Sequence, residues 1–437
     1  MLYDLIMLPL LFVLRVLVIP WIPKARERVF YEKRASHYKG GVSFHEDGVQ
    51  ADIAFEFSSE GELQQCLPLI ESAIAENQKI ELIYFSPSVE KGVHSLYEKY
   101  PAQIRVLAFP LLTYGVQRNQ SFRRWVTAKK LILVRYDFLP EIFLWGRSAE
   151  HELIIIWASF KRKRLQGKRL SVYQMLFLKL AKTIVAATDK DADYIKNHGL
   201  SVLETFDFRM IQISNRVKKI DHTLKEKFPS WPIFSEILES LPLENRFLFG
   251  NAWPVDLDLI DDGFCDQVEK GAKFFCIVPH LVGGEHLQVW REKLKELNLT
   301  YYEMTPETPV QEMLLQFKSQ PGVIVLHLKG VLCELYHYFG YAYVGGGFGQ
   351  SVHSLLEPYV SGSQWISCGP KSLRSTEIDL CNQEGLVVST LLNASEFNQW
   401  TKTPRPDILE KRADNVLFLE TKFENLKQRL LHVKKSL

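Results

Sequence analysis

AYVGGGFGQSVHSLLEP, Ala342 to Pro358, has the order apolar strand, glycine turn, polar helix start. Glycines directly after a strand let the backbone approach a ligand closely, and the start of a following helix offers N–H groups to an anion. A nucleotide phosphate is the expected guest, held by Gly345, Gly346 and Gly347. His353, Ser354 and Glu357 fall at or near one helical turn from each other. That spacing lets a phosphate or carboxylate contact and a carboxylate for ribose hydroxyls face the same way. Glycine turns also arise for purely steric reasons, so the cluster alone leaves both uses open.

Outward from this turn, short apolar runs alternate with helix-like stretches. RFLFG (246–250), KFFCIVP (273–279), GVIVLHL (322–328), YAYVGGG (341–347) and QWISCGP (364–370) read as strands, and EHLQVWREKLKEL (285–297) as an amphipathic helix. The first half repeats the pattern with IELIYF (80–85), QIRVLAF (103–109), KLILVRY (130–136), HELIIIW (151–157) and KTIVAAT (182–188). Branched apolar runs of this length, separated by helices, argue for buried parallel strands in βαβ units. The expected fold is therefore α/β, with two doubly wound, Rossmann-like domains facing a cleft and ligands at the carboxyl ends of the strands. The first domain is placed at 23–220 and the second at 246–437, with the proline-rich 221–245 as linker.

The 437 residues suffice for two such cores. Six scattered cysteines without a CxxC pair argue against a disulfide framework or structural zinc, and fit a reducing cytoplasm. The net charge of +2 excludes little. Residues 1–22 are almost wholly apolar apart from Asp4 and Arg15, and Lys24, Arg26, Arg28, Lys33, Arg34 and Lys39 follow. This order is the reverse of a signal peptide and places the remainder on the cytoplasmic side of a membrane. Arg15 leaves a spanning helix and an interfacial one as alternatives. A second basic run, KRKRLQGKR (161–169), suits anionic headgroups or a phosphorylated glycolipid as well as plain solvent.

VGGGFGQSVHSLLEP with WISCGPK resembles the nucleotide-binding signature of the transferases of 3-deoxy-D-manno-octulosonic acid (Kdo), which act in lipopolysaccharide inner-core biosynthesis. LKGVLCELYHYFGYAYVGG (328–346), FGNAWPVDLD (249–258) and FCIVPHLVGGEHL (275–287) resemble further segments of that family. FSSEGEL (57–63) is similar to its Ser-x-Gly-Glu-Val motif and places Glu62 on the catalytic glutamate, with Gly61 beside it. LILVRYDFLPEIF (131–143) resembles a family segment with a basic and an acidic residue, here Arg135 and Asp137. LETFDFRMIQISNRV (203–217) is similar to an arginine-containing motif, with Arg209 as counterpart of its first arginine. The chain departs from the family at Ser354, at Leu139 and at His327, which stands where an aspartate is usual.

The resemblance implies a GT-B glycosyltransferase that inverts configuration, moving Kdo from CMP-Kdo to a lipid A precursor at the cytoplasmic face of the bacterial inner membrane. It implies Glu62 as general base, with Asp137 as a second catalytic acid. Arg209, Pro279, His280, Lys329, Gly330, the glycine turn, His353, Ser354 and Glu357 would meet the donor, and Gly61, Arg135, Lys161 and Arg162 the acceptor. No cofactor, metal or nucleic acid is expected. A base is needed to take the acceptor hydroxyl's proton as the oxygen attacks, and a helix N-terminus keeps a carboxylate ionised for that task. Ser59 and Glu62 also fit a capping box, which would use the same residues for stability alone. Another nucleotide sugar, or a non-catalytic membrane-associated protein of the same fold, are the alternatives.

Overall fold

Branched and aromatic runs too apolar to face water on either side form two parallel sheets, each with seven strands among the described residues. The computed structural model describes residues 21–35, 48–110, 118–135, 139–160, 170–281, 284–305, 307–308, 310–349, 352–363, 365–383, 388–402 and 408–431. Contacts divide the chain into two units, Met1–Arg209 with Phe423–Leu437, and Met210–Lys422.

The first unit contains β1 (Ile53–Phe57), β2 (Ile80–Tyr84), β3 (Ile104–Ala108), β4 (Lys130–Val134), β5 (Glu152–Ala158), β6 (Ala181–Ala186) and β7 (Glu204–Thr205). Their order is β3-β2-β1-β4-β5-β6-β7, so the winding reverses between β1 and β4. β1, β2 and β4 are buried along their whole length, as a parallel sheet covered on both faces requires. One face packs Ile83, Leu131, Leu133 and Ile155 against Phe122, Trp145 and Phe177 from the helices.

The second unit contains β8 (Arg246–Ala252), β9 (Phe274–Pro279), β10 (Tyr301–Met304), β11 (Val323–Leu326), β12 (Tyr341–Val344), β13 (Trp365–Cys368) and β14 (Ser389–Thr390). Here the order is β10-β11-β9-β8-β12-β13-β14, and the reversal lies between β8 and β12. Its core stacks Phe247 on Tyr341 and Phe249 on Tyr343 across that junction.

The segment 221–245 is not a linker. It holds most of the helix Ile220–Lys227 and the helix Trp231–Glu239. Their buried Leu224, Trp231, Phe234 and Leu238, with Phe228 between the helices, belong to the second unit. Pro232 stands in the first turn of its helix, where a missing N–H costs nothing, so the proline that suggests a break marks a start. The second domain also ends earlier than expected, because Phe423 onward returns to the first unit, where Phe423 packs on Phe206 and Phe208. No described helix is long and apolar enough to cross a membrane. The apolar segment's residues 1–20 lie outside the described residues, and the helix Pro23–Ala35 follows with Trp21 and Phe30 82% and 72% exposed.

One buried cation holds the returning helix. Lys130 Nζ donates to the carbonyls of Leu430 and Leu431, at 2.8 and 3.1 Å, in the last turn of the helix Ile408–Leu431. Helix ends leave such carbonyls without intrahelical donors. Burial lowers the lysine's pKa, and Glu152 at 3.9 Å opposes that shift. Lys130→Met is expected to cost roughly 1–3 kcal/mol, the penalty for buried acceptors left unmet. It should also speed hydrogen exchange in Phe423–Leu431; unchanged exchange there would show that another contact holds the helix end.

Candidate functional site

Each sheet gathers polar side chains at its own reversal, where helices leaving adjacent strands on opposite faces open a crevice. In the first unit β1 ends at Phe57, the chain turns through Ser58 and Ser59, and the helix Glu60–Ala75 begins. The side chain of Ser59, the N-cap, makes no capping bond. Instead Ser58 donates to Glu62 Oε2 from both its amide and its hydroxyl, at 2.7 and 2.9 Å. The reciprocal box with Ser59 is therefore not formed, although Glu62 does pin the turn one residue earlier. Glu62 is 5% exposed, and its Oε1 stands 3.9 Å from Arg135 Nη1. Gly61 has no left-handed backbone, and a Cβ there would meet nothing within 4 Å. Nothing among the described residues requires glycine at that position.

Arg135 follows β4 across the reversal and has φ 65°, while Trp157, at a register shift of β5, has φ 51°. Left-handed backbone at a bulky residue costs of order 1–3 kcal/mol and concentrates at functional sites. The two distortions bring Arg135 over the Trp157 ring at 4.4 Å, and Arg209 lies over the same ring at 5.1 Å. Arg209 is gripped by Asp207 through Nε and Nη2, with contacts of 3.0 and 2.7 Å. Buried Gln65, one turn beyond Glu62, donates to Asp207 at 2.6 Å and accepts from the Phe208 amide at 2.9 Å. A carboxylate thus shares a cluster with two guanidinium groups stacked on an indole.

In the second unit a cavity of about 260 Å³ opens at the ends of β8, β9 and β11. Six residues singled out in the sequence line it: Pro279, His280, Lys329, Gly330, His353 and Glu357. Arg216, Asn251, Val278, Leu328, Leu332 and Cys333 complete the lining. Arg216 donates two parallel hydrogen bonds to buried Glu334, at 2.9 and 2.8 Å, and its Nη1 lies 3.8 Å from Glu357. Burial works against the guanidinium's charge, but the Glu334 bonds outweigh it and hold the group firmly protonated. His280 is lowered from its ordinary pKa by desolvation and then by His353; His353 is lowered by desolvation, with Glu377 opposing. Burial pushes the Cys333 thiol up to about 12, which makes it an inert wall.

The glycine turn is shaped by the chain's own packing. A Cβ on Gly345 would stand 2.2 Å from the Asn251 carbonyl oxygen, and one on Gly347 2.6 Å from Gly369 Cα. The Gly346 amide donates to Asp256, which also accepts from Trp253 and Tyr343. Burial pushes the Asp256 carboxyl up to about 6. The turn is thus shaped by backbone packing, and neither its glycines nor Ser354 line the cavity. The amide of Leu355, ahead of the six-residue helix Leu356–Ser361, is taken by Glu377 at 2.7 Å. Arg209 belongs to the first unit, and the arginine of the second unit's cavity is Arg216. The sequence carried a signal for it, since Arg216 is the second arginine of the same 203–217 segment. Trp157 and Asn251 were missed because nothing in a sequence marks a left-handed tryptophan or asparagine. His327 is buried beside Glu303, 3.7 Å away, which Arg291 already holds. Asp137, Lys161 and Arg162 lie outside the described residues. No group of three or more potential ligands for a metal occurs among the described residues, and the six cysteines are buried and unbridged.

Residues 24–208 match the family model of the 3-deoxy-D-manno-octulosonic-acid transferases (kdotransferases). No curated protein matches the chain in sequence. Among solved structures, the UDP-GlcNAc 2-epimerase of Methanocaldococcus jannaschii has TM-score 0.51 at 10% identity, covering 85% of this chain and 99% of that one. The UDP-GlcNAc 2-epimerase of Neisseria meningitidis, bound to UDP-GlcNAc, has TM-score 0.50 at 11% identity, covering 85% and 100%. These likenesses show the fold alone, the GT-B type with two doubly wound units. The C-terminal CMP-Kdo binding domain of WaaA from Acinetobacter baumannii matches at TM-score 0.33 and 16% identity, covering 48% of this chain and 98% of that one. At that score it adds no weight.

The packing of the glycine turn generates a test. Gly345→Ala is expected to destabilise the second unit by about 1–3 kcal/mol, the usual cost of overpacking, in urea unfolding without any ligand. An unchanged midpoint would mean that the glycine is there for something outside the chain.

Proposed function

We propose that this glycosyltransferase, whose residues 24–208 match the family model of the Kdo transferases, moves Kdo, with inversion, from CMP-Kdo to a phosphorylated lipid A precursor. The observation that carries this reading is the cluster at the first reversal, where buried Glu62 lies beside Arg135 and next to Gly61, whose Cβ position is open. Ser58 occupies Oε2, which leaves Oε1 to take the acceptor's proton. In the step, the acceptor oxygen bonds to the anomeric carbon, the bond from that carbon to the CMP phosphate oxygen breaks with its electron pair, and the proton passes to Glu62. Arg135 and Arg209, braced on Trp157, suit an acceptor phosphate.

The cavity of the second unit suits the donor. Arg216 and Lys329 supply positive charge for the phosphate and the sugar carboxylate, and His280 and His353 supply ring nitrogens. Such a preset electrostatic environment stabilises charge as it develops on the leaving group. Glu357 would hold the ribose. Residues 1–22, with the exposed Trp21 and Phe30 and the basic residues of the helix Pro23–Ala35, would keep the enzyme on the cytoplasmic face of the inner membrane.

Two outcomes follow. Purified protein given CMP-Kdo, generated in place, and a tetraacyl lipid A precursor should yield a lipid heavier by Kdo; transfer from another nucleotide sugar only would sink the donor assignment. Glu62→Gln should bind CMP as the parent does, melt close to it, and transfer about 100- to 10,000-fold more slowly, the range for losing a general base. A Gln variant with near-parental turnover but a lowered melting temperature would reduce Glu62 to a brace for the Ser58 turn.

A further inference from the structure

Asn251 is the penultimate residue of β8 and has φ 54°, a left-handed backbone that asparagine adopts at some cost and that glycine adopts freely. The distortion coincides with a shift in register between β8 and β9, at Gly250 and Ala252. The amide side chain is turned onto His280, whose Nδ1 lies 2.6 Å from Asn251 Oδ1. His280 also stacks on the Trp253 indole, with centroids 4.6 Å apart and planes 26° from parallel. One face of the ring and one of its two nitrogens are thereby committed.

An amide oxygen can only accept, so Nδ1 must carry the proton. In a neutral imidazole the other nitrogen, Nε2, is then a bare acceptor. We propose that Asn251 is a positioning residue, which fixes His280 as the Nδ1–H tautomer flat on Trp253 so that Nε2 is the atom that takes up a proton when an anion enters the cavity. Two further observations accord with this. Desolvation and then His353 lower the pKa of His280, which favours the neutral ring before an anion enters. The charged groups around it are Arg216 and Lys329, which disfavour that charge, and Glu357, which favours it but faces Arg216. An incoming dianion reverses this balance and makes Nε2–H a charge-assisted donor. The strain at Asn251 then has a use, because a relaxed extended residue would not carry its amide to the same place.

The inference rests on the donor reading only for the identity of the anion. Nitrogen-15 NMR of the free protein should show His280 with Nδ1 protonated and Nε2 bare, and CMP binding should take up a proton, seen as heats that change with the ionisation enthalpy of the buffer. Asn251→Gly keeps the backbone content at φ 54° and removes the amide. It should melt like the parent, show mixed tautomers, and bind CMP roughly tenfold more weakly, the loss of one aimed hydrogen bond. Asn251→Asp keeps the acceptor, raises the pKa of His280, and should bind CMP with less proton uptake. Nε2–H in the free parent protein, or a Gly variant with unaltered tautomer and affinity, would overturn the inference. Failure of CMP to bind a parent protein with bare Nε2 would sink the donor reading and the anion part of the inference, leaving the tautomer standing.

Discussion

Where a parallel sheet reverses its winding, neighbouring strands send their chains to opposite faces, and no connecting segment covers the gap between them. That topological constraint decides where polar chemistry can exist in two otherwise apolar cores. Between β1 and β4 the gap receives Glu62 from one side and Arg135 from the other. Between β8 and β12 it lies beside Asn251, with His280 and Leu328 brought in from strands on the β9 side. β1, β4 and β12 are buried end to end, and Glu62 and Arg135 lie within a few residues of the carboxyl ends of β1 and β4, so rigid backbone and polar groups are adjacent in the chain.

Charge is handled differently in the two places. In the first unit the carboxylate is steadied by neutral donors, the amide and hydroxyl of Ser58, while arginine stays just beyond hydrogen-bonding distance. The base role proposed for Glu62 needs this, since a tight ion pair would hold a proton-accepting oxygen too firmly. In the second unit Arg216 is committed to Glu334 through two parallel bonds, which fix the direction of a cation on the cavity wall. Replacing Arg216 would leave the buried Glu334 carboxylate alone, a far larger penalty than the pair's net contribution.

Much of this was legible in the sequence, because a fully buried strand leaves a run of branched residues and a helix that covers it leaves a periodic stripe. The runs at 80–85, 130–136 and 341–347 each contain an observed strand. Tyr301–Met304 was not visible, since two tyrosines and a glutamate at a partly exposed edge carry no such run. Glu62 and six of the residues lining the second unit's cavity stood out through motifs, whereas Arg216 and Asn251 did not. The glycine turn illustrates the opposite limit: a cluster of glycines says that something comes close, and only coordinates reveal that it is the chain's own backbone at Asn251 and Gly369. Trp157 looked like one more apolar residue of a strand until its backbone torsion turned it between two arginines.

The return of the last helix to the first unit has a consequence for how the protein is made. Phe206 and Phe208 await Phe423, and buried Lys130 awaits the carbonyls of Leu430 and Leu431, which the ribosome adds some three hundred residues after Lys130. Domains ordinarily fold from the amino end as they emerge, at about 5–20 residues per second. Here the unit whose synthesis starts first is completed last, because Met210–Lys422 is made before the residues from Phe423 onward that complete it. A nascent chain therefore carries an apolar, unfinished first unit throughout synthesis of the second, and that interval is when a chaperone or a membrane surface has most to bind.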